Sequence, residues 1–208
     1  MARTKAPDFE AQREQILELA AAAFANSSYP STSMADLAAA CGTSKARLYH
    51  YYESKEAILF DLLDRYTRRL MLIVTEVEAD AVRQGRTDQE GFANLIRAFL
   101  AEYENSQTRH IALINDVKFL ADEQRDVILG RERDVVAGFS RLLRRAYPER
   151  VTRDNQTALT MTVFGMINWT FTWLKPGGKL SYADFADMVV DLLDGGLPGK
   201  PAKAAALR

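Results

Sequence analysis

Lys45, Arg47, Tyr49, His50 and Tyr51 crowd into a single short stretch, with Ser44 just before them and Lys55 just after. These are groups for recognition. An arginine bonds bidentately to guanine, a lysine meets phosphate as a point charge, and tyrosine and serine hydroxyls donate to phosphate oxygens. On a helix, Leu48 and Tyr52 lie four apart and point inward, which leaves the five polar and aromatic groups on the remaining exposed arc. Such an arc suits DNA.

The neighbouring sequence supplies the elements that hold this arc. Met34, Leu37, Ala38 and Cys41 are spaced as one face of a helix. Ser33 and Asp36 form a capping-box pattern, with Thr32 or Ser33 as the cap. Gly42 can take the left-handed conformation that ends this helix, and Thr43 or Ser44 caps the next. Two short helices joined by a glycine turn spell helix-turn-helix. A supporting helix is expected from about Phe9 to Asn26, with Ile16, Leu17, Ala20, Ala23 and Phe24 on one stripe. Ser54 caps a long helix whose stripe runs Ile58, Leu59, Leu62, Leu63, Tyr66, Leu70, Ile73 and Val77. It is too long for a three-helix unit alone, so its later turns are expected in a second domain.

Composition limits what else the chain does. It has 208 residues, 48% of them hydrophobic, and a net charge of −1, so it is not coated in cations for indiscriminate nucleic-acid binding. Residues 1–55 carry six basic and six acidic side chains, whereas residues 43–52 hold Lys45 and Arg47 and no acid. Binding must therefore depend on helix placement and on a second copy. One cysteine and two histidines provide neither an internal disulfide nor a zinc set, and no metal or cofactor is expected. The residues three before His50 and His110 are Arg47 and Gln107, so there is no Glu-x-x-His motif. No apolar run of roughly 18 residues occurs, and the first residues lack the apolar centre of a signal peptide; a cytoplasmic protein is expected.

After a polar break around Gly85 the chain reads as helix upon helix, giving an all-α protein. Phe92, Leu95, Ile96, Phe99, Leu100 and Tyr103 form one stripe, and residues 122–146 form a charged helix stopped by Pro148. Residues 154–174 are apolar nearly all round and are expected to be buried on several sides. Ser181 and Asp184 cap a last helix, which Gly195-Gly196 stops. The expected organisation is a DNA-binding domain over 1–53, with a disordered arm at 1–8; a second domain over 54–196; and a disordered tail at 197–208. For an apolar ligand, the middle helices offer Phe99, Tyr103, Leu113, Val117, Phe119, Met161 and Phe164, with Arg109, Asn115, Asp116 and Lys118 as candidates for its polar head and Asn168 as a buried amide to bond the ligand or a second copy. His110 is expected as an ordinary surface or helix-end histidine.

The run from Arg13 through Ile16-Leu17 and Phe24, then from Ser33-Met-Ala-Asp-Leu-Ala to Cys-Gly-Thr-Ser-Lys-Ala-Arg-Leu-Tyr-His-Tyr-Tyr-Glu-Ser-Lys, closely resembles the amino-terminal domain of TetR-family transcriptional regulators. It covers about a quarter of the chain. Cys41 departs from the usual alanine, Thr43 from valine and Arg47 from a threonine or other small residue. The stretch Phe164 to Ser181 is similar to that of TetR-type regulators that sense acyl-CoA thioesters.

The resemblance implies a three-helix DNA-binding domain with a helix-turn-helix, followed by a helical bundle for ligand binding and dimerisation. It places Lys45, Arg47 and His50 at bases or nearby phosphates, and Ser44, Tyr49, Tyr51, Lys55, Thr32 and Ser33 at the phosphate backbone. It implies a dimer built from the last two helices, with Phe164, Trp169, Trp173, Phe185, Met188 and Leu192 as candidate contacts. The expected function is a homodimeric, ligand-responsive repressor of a palindromic operator, released by a small apolar effector such as an acyl-CoA or aromatic acid thioester. A constitutive DNA-binding protein and a helical-bundle enzyme are the alternatives.

Overall fold

A computed structural model describes residues 5–196, with side chains from residue 9 onward. Nine α-helices and no strand occur among them: α1 (Lys5–Ser27), α2 (Met34–Ala40), α3 (Lys45–Tyr51), α4 (Lys55–Gln84), α5 (Asp88–Asn105), α6 (Gln107–Asp116), α7 (Asp122–Ala146), α8 (Gln156–Asn168) and α9 (Tyr182–Gly196). Short 3-10 turns follow α6 at Val117–Phe119 and α8 at Trp169–Thr172.

The helix ends are set by local chemistry. The Ser33 hydroxyl accepts from the Asp36 amide while the Asp36 carboxylate accepts from the Ser33 amide, closing both halves of the capping box. The same arrangement recurs at Thr87 with Glu90 and at Ser181 with Asp184. Gly42, at φ +59°, makes the left-handed step between α2 and α3 that a side chain would strain. Helix α1 starts at Lys5, inside the segment expected as an arm. Residues 1–4, and the tail expected over 197–208, lie outside the described residues.

The chain divides into two compact units, and the division falls elsewhere than at residues 53 and 54. One unit takes residues 5–69 together with Ser106–Arg131; the other takes Leu70–Asn105 together with residues 132–196. Helix α6 joins the first unit for a physical reason. It lies on α1, where Arg109 pairs with Glu14 and Glu18, and His110 is buried with Nδ1 3.2 Å from the Tyr66 hydroxyl. His110 is thus a core residue rather than a surface one. The first unit's core combines Leu17 and Phe24 of α1, Leu37 of α2, Leu48 of α3, and Ile58, Leu59 and Leu62 of α4, each nearly or fully buried.

In the second unit α5 packs along α9, and aromatic rings fill the centre. Phe139 meets Phe99 edge-on and Phe164 at a tilt, both at 4.6 Å, and Phe92 bridges Phe139 and Tyr147 edge-on. Gly138 lets α7 approach α4 closely: a Cβ added there would sit 2.7 Å from Val74 Cγ1.

Candidate nucleic-acid interface

Helix α3 is short and is set from both ends. The Ser44 hydroxyl accepts from the Arg47 amide at 3.1 Å, and the inward-facing Leu48 and Tyr52 are buried. Lys45, Arg47, Tyr49 and His50 are exposed on the side away from them, with the Lys45 ammonium 5.8 Å from the centre of the Tyr49 ring. Tyr51 is only half-buried, stacked on Phe9 of α1 at 4.8 Å, and Phe9 also meets the His50 ring edge-on at 6.2 Å. An aromatic from α1 thus fixes two members of the recognition set.

Beneath α3 lies an ion-pair network. The Tyr52 hydroxyl donates to Asp61 Oδ2 at 2.6 Å and accepts from Arg13 Nε at 3.3 Å. Arg13 also donates to Asp61 Oδ2 at 2.6 Å, Arg65 donates to Asp61 Oδ1 at 3.0 Å, and Arg65 reaches back to Glu10 and Glu14 of α1. Burial pushes the Asp61 carboxyl up, but hydrogen bonds from Tyr52 and Arg65 and the charges of Arg65 and Arg13 outweigh it and hold the group below the usual carboxylate range. Burial, and then the bond to Asp61, push the Tyr52 hydroxyl upward. One carboxylate therefore joins α1, the end of α3 and α4. The support that Phe9, Arg13 and Asp61 give to α3 is not legible in the sequence, because their partners are distant in it and follow no helical period.

Two residues expected at the DNA backbone have other partners here. Thr32 is 3% exposed, and its hydroxyl donates to the Ser28 carbonyl at 2.9 Å. The exposed Ser33 is the cap. Lys55 donates to the Tyr29 and Thr32 carbonyls, both at 2.7 Å, and its ammonium lies 4.2 Å from the centre of the Tyr29 ring. The turn between α1 and α2 leaves these carbonyls without helical partners, and a cation at the start of α4 satisfies them. Both residues shape the turn that aims α2.

The residues expected around an effector divide between the two units. Arg109, Leu113, Val117 and Phe119 belong with α3; Phe99, Tyr103, Met161, Phe164 and Asn168 belong to the other unit. Arg109 is committed to Glu14 and Glu18, Leu113 is core, and Phe119 stacks on Tyr29 at 5.2 Å. Near Phe119 the buried Asp116 has its carboxyl pushed up to about 6 by burial, against the opposing charges of Lys118 and Lys55. In the other unit Phe99 and Phe164 are core rings. The buried Tyr103 hydroxyl donates to Asn168 Oδ1 at 2.7 Å, which gives the Asn168 amide a partner within the chain. Met161 is 53% exposed, outside that core.

The apolar segment at 154–174 is less buried than its composition implies. Helix α8 ends at Asn168 and gives way to the 3-10 turn, which places Trp169 and Trp173 on the surface at 59% and 49% exposure. On α9, Met188 and Leu192 are 52% and 61% exposed. Phe185 is half-buried, with the Trp173 ring edge-on to it at 5.1 Å. Phe164, expected at the same face, is instead 6% exposed and packed on Phe139.

Residues 16–62 match the model for bacterial regulatory proteins of the tetR family, and residues 85–197 match the model for the tetracyclin repressor-like C-terminal domain. A TetR-family transcriptional regulator from Bordetella parapertussis is 34% identical, with a TM-score of 0.82 over 88% of this chain and 94% of its own. The HTH-type transcriptional repressor KstR2 of Mycolicibacterium smegmatis is 26% identical over 206 residues, 92% of this chain and 95% of the relative. AibR, solved in complex with isovaleryl coenzyme A and operator DNA, is 25% identical, with a TM-score of 0.75 over 90% of this chain and 99% of its own.

Proposed function

The chain belongs to the TetR family of transcriptional regulators, and on that premise we propose a homodimeric repressor, not an enzyme, that holds a palindromic operator in the cytoplasm until a coenzyme A thioester releases it. The carrying observation is the presence, in one chain, of an exposed polar face on α3 and an exposed apolar face on α8 and α9. The first fits DNA. The second fits its own copy, since a twofold axis sets the same patch against itself.

In this reading Lys45, Arg47 and His50 meet base edges or adjacent phosphates in the major groove, and Tyr49, Tyr51 and Ser44 meet phosphate oxygens. Two copies of α3 fit an operator only when their spacing matches one helical turn, about 34–36 Å. Three residues separate the end of α3 from the start of α4, which continues for thirty residues, so an effector that displaces it changes that spacing. DNA and effector then weaken each other's binding by the same factor. The thioester class is supported by AibR, whose solved complex contains isovaleryl coenzyme A.

The test is a titration of labelled DNA from the protein's own upstream region, at stated salt, with isovaleryl, longer aliphatic and aromatic coenzyme A thioesters and the matching free acids. Release by a thioester and not by its free acid is expected. Retention of DNA with every compound would instead support a constitutive DNA-binding protein.

A further inference from the structure

A groove in the α5–α9 unit is lined by arginines. It has a volume of about 840 Å³ and runs along the last turns of α7 to the start of α8, lined by Arg141, Arg144, Arg145, Thr152 and Gln156. Glu149 is the one carboxylate in its lining. The three guanidinium groups differ in commitment. Arg141 donates through Nε and Nη2 to Glu78, and Arg145 through Nη2 to Asp88 at 2.6 Å. Arg144 is exposed and has no hydrogen-bond or ion-pair partner among the described residues.

We propose that this groove binds a diphosphate group, with Arg144 as its principal contact and Arg141 and Arg145 as flanking donors. Arginine's planar fork matches phosphate oxygens, and charge-assisted bonds of this kind are the stronger class. The two tethered arginines keep unused N–H groups: Nη1 of Arg141, and Nε and Nη1 of Arg145. Their carboxylate partners fix the side chains, so less conformational freedom is lost when an anion arrives. The Thr152 hydroxyl is a further donor in the lining.

Arginines in the last turn of a helix also offset its carbonyl dipole. That accounts for Arg144 and Arg145 but not for Arg141, a turn earlier on the same groove. The phosphate chemistry stands on the groove alone. Identifying the occupant as the diphosphate of a coenzyme A thioester rests on the effector proposed above.

Calorimetry on the full-length protein with pyrophosphate and with adenosine diphosphate, adenosine being the phosphate-free control, tests the groove. Saturable binding of both phosphates and not of adenosine is expected, weakened about tenfold or more in Arg144→Ala and further in Arg144→Glu. Arg133→Ala, an exposed α7 residue outside the groove, should bind as the wild type does. No saturable binding, or equal binding by Arg144→Ala, overturns the site.

Release of operator by isovaleryl coenzyme A, measured at each variant's own half-saturating DNA concentration, then separates site from effector. A rise of about tenfold in the releasing concentration for Arg144→Ala supports the thioester as occupant. An unchanged concentration removes it from this groove. If phosphates bind through Arg144 while no thioester releases the wild type, the groove stands and the effector proposed above falls.

Discussion

The α3 face and the α8–α9 face are both exposed, yet only one is complete in water. On α3 the exposed groups are Lys45, Arg47, Tyr49 and His50, backed by the buried Leu48 and Tyr52 and by the Asp61 network. Polar groups on such a face stay hydrated until DNA arrives. On α8, α9 and the turn between them, Trp169, Trp173, Met188 and Leu192 expose large apolar surface, each about half or more accessible. Apolar area left in water forgoes roughly 25 cal/mol per Å², and large apolar side chains exposed together in one stretch of chain suit an association surface. In the reading proposed above, one face recruits DNA and the other is half of an interface. In that reading the first, with little charge in a chain of net −1, holds an operator only with the help of the second.

Charging the apolar face should have the largest effect. The double variant Trp169→Asp, Leu192→Arg is expected to run as a monomer in light scattering and to lose about a hundredfold or more in operator affinity, since one half-site's binding energy is lost. A folded monomer that keeps wild-type affinity would uncouple the two faces.

Removing the anchor beneath α3 comes next. Asp61→Ala leaves Arg13 and Arg65 without their shared carboxylate, at an expected cost of about 2–3 kcal/mol in urea unfolding. Because the Asp61 carboxyl is held below its ordinary range, its contribution is complete above that range and is lost as pH falls through the folded value. The variant should therefore differ from wild type at neutral pH and converge with it in acid.

Substitutions on α3 itself sort reading from gripping. Arg47→Ala should reduce discrimination at one base pair by about 1–3 kcal/mol, while Tyr49→Phe should weaken all sequences alike. Lys45→Ala should lower the salt slope of DNA binding by about one. Lys55→Ala should leave that slope near wild type and lower thermal stability, as its carbonyl partners require. A lower slope in Lys55→Ala would restore it to the phosphate contacts.

Asp116 gives the smallest effect. With its carboxyl raised to about 6, the folded chain binds more protons than the unfolded one between the ordinary carboxylate value and that pH. Stability from this group therefore falls as pH rises through the window. Asp116→Asn should flatten the decline and gain about 1–2 kcal/mol at neutral pH. A wild-type pH profile unaltered by the substitution would contradict the shift.

Features that depend on neighbours in sequence were legible in it. The Ser33–Asp36 and Ser181–Asp184 capping boxes, the Gly42 turn, the Ser44 cap and the inward Leu48 and Tyr52 all follow from short spacings. Features made by distant partners were not. Nothing in the sequence pairs Lys55 with two carbonyls more than twenty residues earlier, Arg109 with α1, or Tyr103 with Asn168. Helix α6 looks like a member of the later bundle by position, but its ion pairs and His110 bind it to the α3 unit. The apolar 154–174 segment is less buried within the chain than its composition implies, because hydrophobicity registers the need for burial and not where that burial is met.

The mass of the wild-type protein at micromolar concentration, by analytical ultracentrifugation in moderate salt, decides whether the α8–α9 face serves α3 as described. A stable species of two chains is predicted, retained when operator DNA is added. A single chain in solution, binding operator with no increase in stoichiometry beyond one, would contradict it.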